Sequence, residues 1–293
     1  MPATKDGFAF TDNDAAIVTY IHECRFATVD HLAALTGREA KDVHRRLFRL
    51  EKRKYLHQLK RRSKKTVYSL HKEGISVLVE RGVAPRELLE WRIRHENVKD
   101  LFIDHALLIS DVYTFLTVAS RTSQLKLAEW RQDRGLFDSA PVVVDGERDM
   151  LPIRPDAFFV LEDTGRPSGA NRLAFFLEAD RSTTTHRRFK DKALAYWSYL
   201  QNGLQKKKLG VPGFRVATVT LNAERAKGLC DAVQEVLPRE AGKFFLFAPV
   251  DVASFDTPAM IFDPVFISPR DREQKYALFA PADRPLTATG AAT

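Results

Sequence analysis

Three carboxylates in this chain stand where they could act together. Asp156 follows Pro155 at the start of the apolar segment RPDAFFVLE, and Glu178 and Asp180 close the apolar segment RLAFFLEAD. Side chains two apart on a strand point to one face, so Glu178 and Asp180 share a face if that segment is extended. The two segments flank DTGRPSGAN, a loop of turn formers, which predicts a β-hairpin. The start of one hairpin strand lies beside the end of the next, so Asp156 falls next to Glu178. Two or three hard oxygen ligands at one sheet end suit Mg²⁺, which activates water and stabilises a phosphodiester transition state. Each carboxylate also has a plainer use. Asp180 can N-cap the helix that follows, helped by Thr183 to Thr185. Glu178 can pair with Arg181 or Arg187, and Asp156 after its proline can be a turn residue.

The text around these residues alternates strands with helices. LKLAEWRQD reads as a strand, and VVVDGERDML turns at Asp145-Gly146. After the hairpin, residues 186–200 place Phe189, Ala193, Tyr196, Trp197 and Leu200 on one helical face. FRVATVTLN is a strand, residues 223–237 are a helix with Leu229, Val233 and Leu237 on one side, and KFFLFAPV is the last strand. Such alternation builds an α/β sandwich with a mixed central sheet.

The N-terminal text has a different character. Residues 12–24 carry Ile17, Tyr20, Ile21 and Cys24 at helical spacing behind a cap at Thr11 or Asp12. In ATVDHLAALTG, Thr28 caps, Leu32 and Leu35 bury, and Gly37 ends a short helix. The third helix, in REAKDVHRRLFRLEKRKY, has Val43, Leu47 and Leu50 as its apolar stripe and Arg45, Arg46, Arg49, Lys52 and Arg53 on its other faces. YLHQLK and TVYSL then read as short strands joined by RRSKK, with a further helix from Lys72 or Glu73. Two helices, a basic helix and a basic hairpin make the layout of a winged helix-turn-helix. Its third helix would enter the major groove of double-stranded DNA, with the wing residues Arg61, Arg62, Lys64 and Lys65 on the adjacent backbone.

Charge placement favours that reading. Residues 38–72 hold fourteen Lys/Arg against three Asp/Glu, a local +11 in a chain whose net charge is +8, so the rest carries −3. A local basic patch points to a polyanion partner. Glu39, Asp42 and Glu51 are too few to neutralise the third helix. The alternative is a winged helix used for protein contacts, its charge serving only solvation.

Other classes find no support. There is no G-x-S-x-G, glycine-rich phosphate loop or Cys/His cluster at zinc spacing. A tyrosine nucleophile at Tyr196 or Tyr199 lacks the histidine cluster a relaxase metal site needs. Cys24 and Cys230, far apart in apolar helical text, read as reduced buried thiols of a cytoplasmic protein. No uninterrupted apolar run suggests a membrane span, and the N-terminus lacks a signal-peptide layout. His95 and His105 read as core histidines of the connecting helices.

Pro155-Asp156 followed by Glu178-Ala179-Asp180 resembles the PD-(D/E)xK nuclease superfamily, with one departure. The lysine of that motif should fall at 180, where this chain has aspartate. The resemblance implies that Lys190 or Lys192, on the next helix, would have to supply the positive charge. Lys192 and Tyr196 also resemble the Q-x-x-x-Y helix pair of recombination-type members, with lysine in the glutamine place. Over roughly residues 12–250 the chain is similar to the replication-relaxation family of plasmids and mobile elements. FIDHALLISDVY, RPDA, FFLEADRST, KxxxY, FRVATVTLN and FFLFA carry the likeness.

The resulting expectation is an α/β (α+β overall) chain. Residues 1–84 form a winged helix-turn-helix, 85–123 linking helices, 124–280 a PD-(D/E)xK restriction-endonuclease-like sandwich, and 281–293 a disordered tail. Three functions follow. The first is a DNA-binding protein of a plasmid or mobile element, acting in replication or relaxation, whose nuclease-like domain no longer cuts. The second is a Mg²⁺-dependent nickase or endonuclease using Asp156, Glu178, Asp180 and Lys192, with the metal on Asp156 and Glu178. The third is a transcriptional regulator whose C-terminal domain makes a homodimer.

Overall fold

The computed structural model describes residues 8–83, 85–89, 98–144 and 146–279, which fall into two compact units divided between Thr114 and Phe115. His95, Asp145 and the tail from 281 lie outside the described residues.

Threonines start the first two helices. Thr11 caps α1 (Asp12–Cys24) in a reciprocal box with Asp14, and Thr28 caps α2 (Val29–Thr36) in the same way with His31. Gly37, at φ 66°, ends α2 in the left-handed conformation. α3 (Ala40–Lys52) buries Val43, Leu47 and Leu50, each contributing about 1.5–3 kcal/mol over an exposed position. β1 (Leu56–Leu59) pairs antiparallel with β2 (Val67–Leu70), and Ala27 bridges to Tyr68 on the far side. α4 (Lys72–Glu80) follows. A Cβ at its Gly74 would stand 2.4 Å from the Tyr55 carbonyl oxygen, so only glycine lets this turn lie on the chain entering β1. After the short α5 (Arg86–Leu89) comes α6 (Asp100–Thr122), which begins in this unit and ends in the second. Ser110 Oγ lies 2.7 Å from the Phe26 carbonyl oxygen and 3.1 Å from that of Cys24.

By length and composition α6 is apolar enough to cross a membrane, and 56% of its most apolar window is buried within the protein. Sequence reading passed over it because Asp104 and Asp111 interrupt the run. Both are placed by the first unit: Asp104 meets Arg61 and Lys64, and Asp111 lies 3.0 Å from His31 Nε2.

The second unit is built on a mixed sheet. Its strands are β3 (Leu125–Arg131), β6 (Ala157–Asp163), β7 (Arg172–Asp180), β8 (Arg215–Thr220), β9 (Phe245–Pro249), β10 (Phe266–Ser268) and β11 (Asp271–Tyr276), in the order β11-β10-β9-β8-β7-β6-β3. β7, β8 and β9 run parallel, and the flanking pairs are antiparallel. β4 (Asp138–Val144) and β5 (Glu147–Ile153) form a separate hairpin, and α7 (His186–Gln201), α8 (Leu204–Leu209) and α9 (Ala223–Val236) fill the crossovers. The sheet does not end at FFLFAP, as the sequence suggested. β11, DREQKY, is an exposed charged edge with no apolar alternation to announce it.

One face of this sheet holds the site. Phe158, Val160, Ala174, Phe176, Val216, Phe245 and Phe247 pack with Phe189, Ala193 and Tyr196 of α7 and Leu229 and Val233 of α9. Counting in twos from Phe176 puts Glu178 and Asp180 on this helix-covered face, and counting back from Phe158 puts Asp156 there too.

Candidate functional site

β6 and β7 pair with Ala157 opposite Leu177, which sets Asp156 opposite Glu178. The Asp156 amide donates to the Leu177 carbonyl at 3.0 Å, and Asp156 Oδ2 accepts from the Ala179 amide at 2.8 Å. Glu178 is 3% exposed. Its two oxygens take two donors from successive turns of α7: Lys192 Nζ at 2.5 Å on Oε2 and the Tyr196 hydroxyl at 2.6 Å on Oε1. The partners of Glu178 are therefore Lys192 and Tyr196 rather than Arg181 or Arg187. Lys190, the other lysine considered, pairs with Glu235.

Burial pushes the Glu178 carboxyl above its ordinary value, opposed by the Lys192 charge and reinforced by Asp156. Burial works to lower Lys192, but the Glu178 and Asp156 charges outweigh it and raise the ammonium. Tyr196 is held well above its usual value by burial and then by the Glu178 charge. Lys192 closes the cluster on its outer side. It also lines a cleft of about 460 Å³ with Arg154, Arg188, Thr183 and Thr184.

Asp180 shares the face but has different partners. Arg225, in the first turn of α9, grips it with Nε at 2.6 Å and Nη2 at 3.3 Å, and the same guanidinium reaches the Thr184 carbonyl. The Ser182 amide adds a bond at 3.0 Å. Burial raises Asp180, but Arg225 overcomes it and holds the carboxyl below its usual range. The N-cap of α7 is Thr185, which accepts from the Arg188 amide at 3.3 Å, so Asp180 does not fill that role. Arg225 was missed by sequence reading. It lies 45 residues away, and nothing in its own segment marks it.

The basic residues of the first unit separate into bound and open ones. Arg46 is bound to Asp14, which is fully buried, and to the Ala9 carbonyl at 2.7 Å. Arg61, its side chain 4% exposed, meets Asp100 at 2.9 Å and also Asp104. Lys64 joins Asp104 at 2.8 Å, and Lys65 joins Asp30 at 2.5 Å. Arg45 pairs along its helix with Asp42 at 2.7 Å, and Arg53 sits 4.1 Å from the Phe8 ring centroid. Arg49 and Arg62 are exposed with no carboxylate partner among the described residues, and Lys52 lies 4.4 Å from the Phe48 ring centroid. The local count of +11 is thus corrected in space. Asp14, Asp30, Asp100 and Asp104 come from outside residues 38–72 to neutralise part of it.

The family model for replication-relaxation matches residues 18–213. The chain belongs to the replication-relaxation family. The match reaches from α1 to the loop before β8, so it takes in the basic helix, Asp156, Glu178, Asp180, Lys192 and Tyr196. Membership suggests a role in the replication of a plasmid or mobile element. No curated protein and no solved structure matches the chain.

Whether the carboxylates of this family member suit Mg²⁺ can be read from their donor set. Among the described residues no three His, Cys, Asp or Glu converge as a metal cage. Mg²⁺ is usually held by one or two carboxylates together with waters and substrate phosphate, and Asp156 with Glu178 meets that lesser requirement. Thr218 is Glu178's in-register neighbour on β8, and its buried hydroxyl has no hydrogen-bond partner among the described residues. The set fits an ion shared with a phosphodiester, and not one held by protein alone.

Proposed function

We propose that this chain is a double-stranded DNA-binding protein acting in the replication or relaxation of a plasmid or mobile element. In this reading α1 to α3 and the β1–β2 hairpin act as a winged helix-turn-helix, and the second unit is a nuclease-like domain that serves as scaffold. The observation that carries it is the outer face of α3. Lys41, Arg45, Arg49 and Lys52 are all exposed there, opposite the buried Val43, Leu47 and Leu50. In the same reading Arg62, exposed in the loop that joins β1 and β2, and Arg53, Lys64 and Lys65 are further DNA contacts. The protein works in the cytoplasm, where such DNA is found. The test is duplex binding by the wild type and by Arg49→Glu/Lys52→Glu at several salt concentrations. The variant is expected to bind weakly with a smaller salt slope. Unchanged affinity and slope would reject this surface.

A second reading, Mg²⁺-dependent nicking, is favoured by one observation. Lys192 reaches Glu178 from the following helix although position 180 is an aspartate. Here Asp156 and Glu178 would hold the ion, Lys192 would orient the attacking water, and Arg154 and Arg188, which line the adjoining cleft, would face the phosphate. Bound Mg²⁺ would supply a more acidic water and screen phosphate charge. Supercoiled plasmid incubated with Mg²⁺ or Mn²⁺ decides it. Nicking by the wild type that is lost in Asp156→Ala, Glu178→Ala and Lys192→Met supports this reading, and equal behaviour of all four removes it.

A further inference from the structure

Phe48 is out of place for a residue that only folds the protein. It is 54% exposed, on a helix whose outer face is otherwise basic. Lys41, Arg45, Phe48 and Lys52 are spaced i, i+4, i+7 and i+11, so they share a stripe opposite Val43, Leu47 and Leu50. The Lys52 ammonium, 4.4 Å from the ring centroid, packs against Phe48 and holds it among the cations.

A lone exposed aromatic is ordinary on a protein surface. This one is flanked by Arg45, Arg49 and Lys52, and an apolar protein partner would have to bury the Arg49 and Lys52 charges without a carboxylate to cover the ring. A partner that neutralises the cations and offers an apolar group at the same depth avoids that cost. The major groove of duplex DNA does both: phosphates line its edges, and the thymine 5-methyl is the one apolar group on its floor. A helix lying there brings its outermost stripe to the base edges and its flanks to the backbone.

Resting on the DNA-binding reading above, we propose that Phe48 is a specificity residue that reads a thymine methyl in the major groove, with Arg45, Arg49 and Lys52 set on the phosphates or guanines around it. The face therefore selects sites that carry a thymine at a fixed position.

The experiment uses the full chain. Duplexes enriched by the wild type from a randomised library are remade with deoxyuridine in place of each thymidine in turn, which removes only the methyl. At one or two positions the wild type is expected to lose about fourfold in affinity, the worth of one methyl group taken from water. Phe48→Ala should bind the thymidine duplex more weakly and bind both forms equally, with unchanged thermal unfolding because the side chain is exposed. If no position is sensitive to deoxyuridine, or Phe48→Ala keeps the sensitivity of the wild type, the proposal is overturned while DNA binding stands. If duplex is bound but no sequence is enriched, the proposal is likewise overturned while DNA binding stands, and if no duplex is bound the DNA-binding reading falls and the proposal with it.

Discussion

Lys192 and Glu178, fourteen residues apart, meet at 2.5 Å on the helix-covered face of the sheet. The glutamate is buried at 3% exposure, whereas the lysine side chain is 37% exposed, so the pair joins a dry carboxylate to a half-wet ammonium. Removing the lysine strands a charge in the core, and removing the charge on the glutamate does not. Lys192→Met should cost about 2 kcal/mol, less than a fully buried pair because of the lysine's exposure. Glu178→Gln, which keeps the Tyr196 bond, should cost less. In the double variant the losses should fall short of their sum by at least about 1 kcal/mol in urea unfolding. Losses that add to within about 0.5 kcal/mol would mean that the two groups are uncoupled.

The raised Glu178 carboxyl gives stability a pH dependence of definite sign. Above its ordinary value of 4.5, the unfolded chain has released this proton while the folded chain keeps it. The folded state then binds more protons, so this group's contribution falls as pH rises from 4.5 through the higher folded value. Unfolding free energies across that range should decline more steeply for the wild type than for Glu178→Gln. Identical slopes would show that Glu178 titrates normally.

Asp180 acts in the opposite direction. Arg225 holds its carboxyl below the ordinary 3.8, so its contribution is present above 3.8 and lost as pH falls through the lower folded value. Asp180→Asn should therefore flatten the acid limb of the stability profile. Arg225→Ala, which leaves a carboxylate of 3% side-chain exposure without its cation, should cost about 3 kcal/mol at neutral pH. Arg225→Lys should recover part of this, since one ammonium replaces a two-pronged grip. Thermal unfolding of the three variants is the check, and an unshifted midpoint for Arg225→Ala would deny the pair its structural role.

Arg46 and Arg49 stand three residues apart on one helix but should respond differently. Arg46 neutralises the buried Asp14, so Arg46→Ala should lower stability by about 3 kcal/mol. Arg49 is exposed, so Arg49→Ala should leave unfolding within about 0.5 kcal/mol of wild type. If it contacts a phosphate, its loss should reduce the logarithmic salt slope of duplex binding by about 1. Paired melting curves and salt titrations separate the two roles. A stable Arg46→Ala would show that Asp14 tolerates burial alone.

Local physics was legible in the sequence, and distant partners were not. Thr11, Thr28 and Gly37 mark the helix ends because capping is decided within four residues. The pairing of Asp156 with Glu178 follows from strand period two and a turn-rich loop. What escaped depends on long separations. Asp14, Asp30, Asp100 and Asp104 drain a basic segment that looks uncompensated when charge is counted along the chain. Arg225 comes to Asp180 only because β7 and β8 run parallel and place the start of α9 over the sheet end. Lys192 and Lys190 could not be told apart until the rotation of α7 was set by Phe189, Ala193 and Tyr196 packing inward.

The Asp180–Arg225 grip also constrains how this lineage can change. Converting position 180 to lysine would set a second cation against the guanidinium of Arg225, and changing Arg225 first would strand Asp180. Either single step passes through a destabilised protein, so the two positions are epistatic and must be exchanged together. The helix-borne lysine at 192 lies outside that lock. The charge at 192 can therefore be kept or lost while Asp180 and Arg225 hold each other.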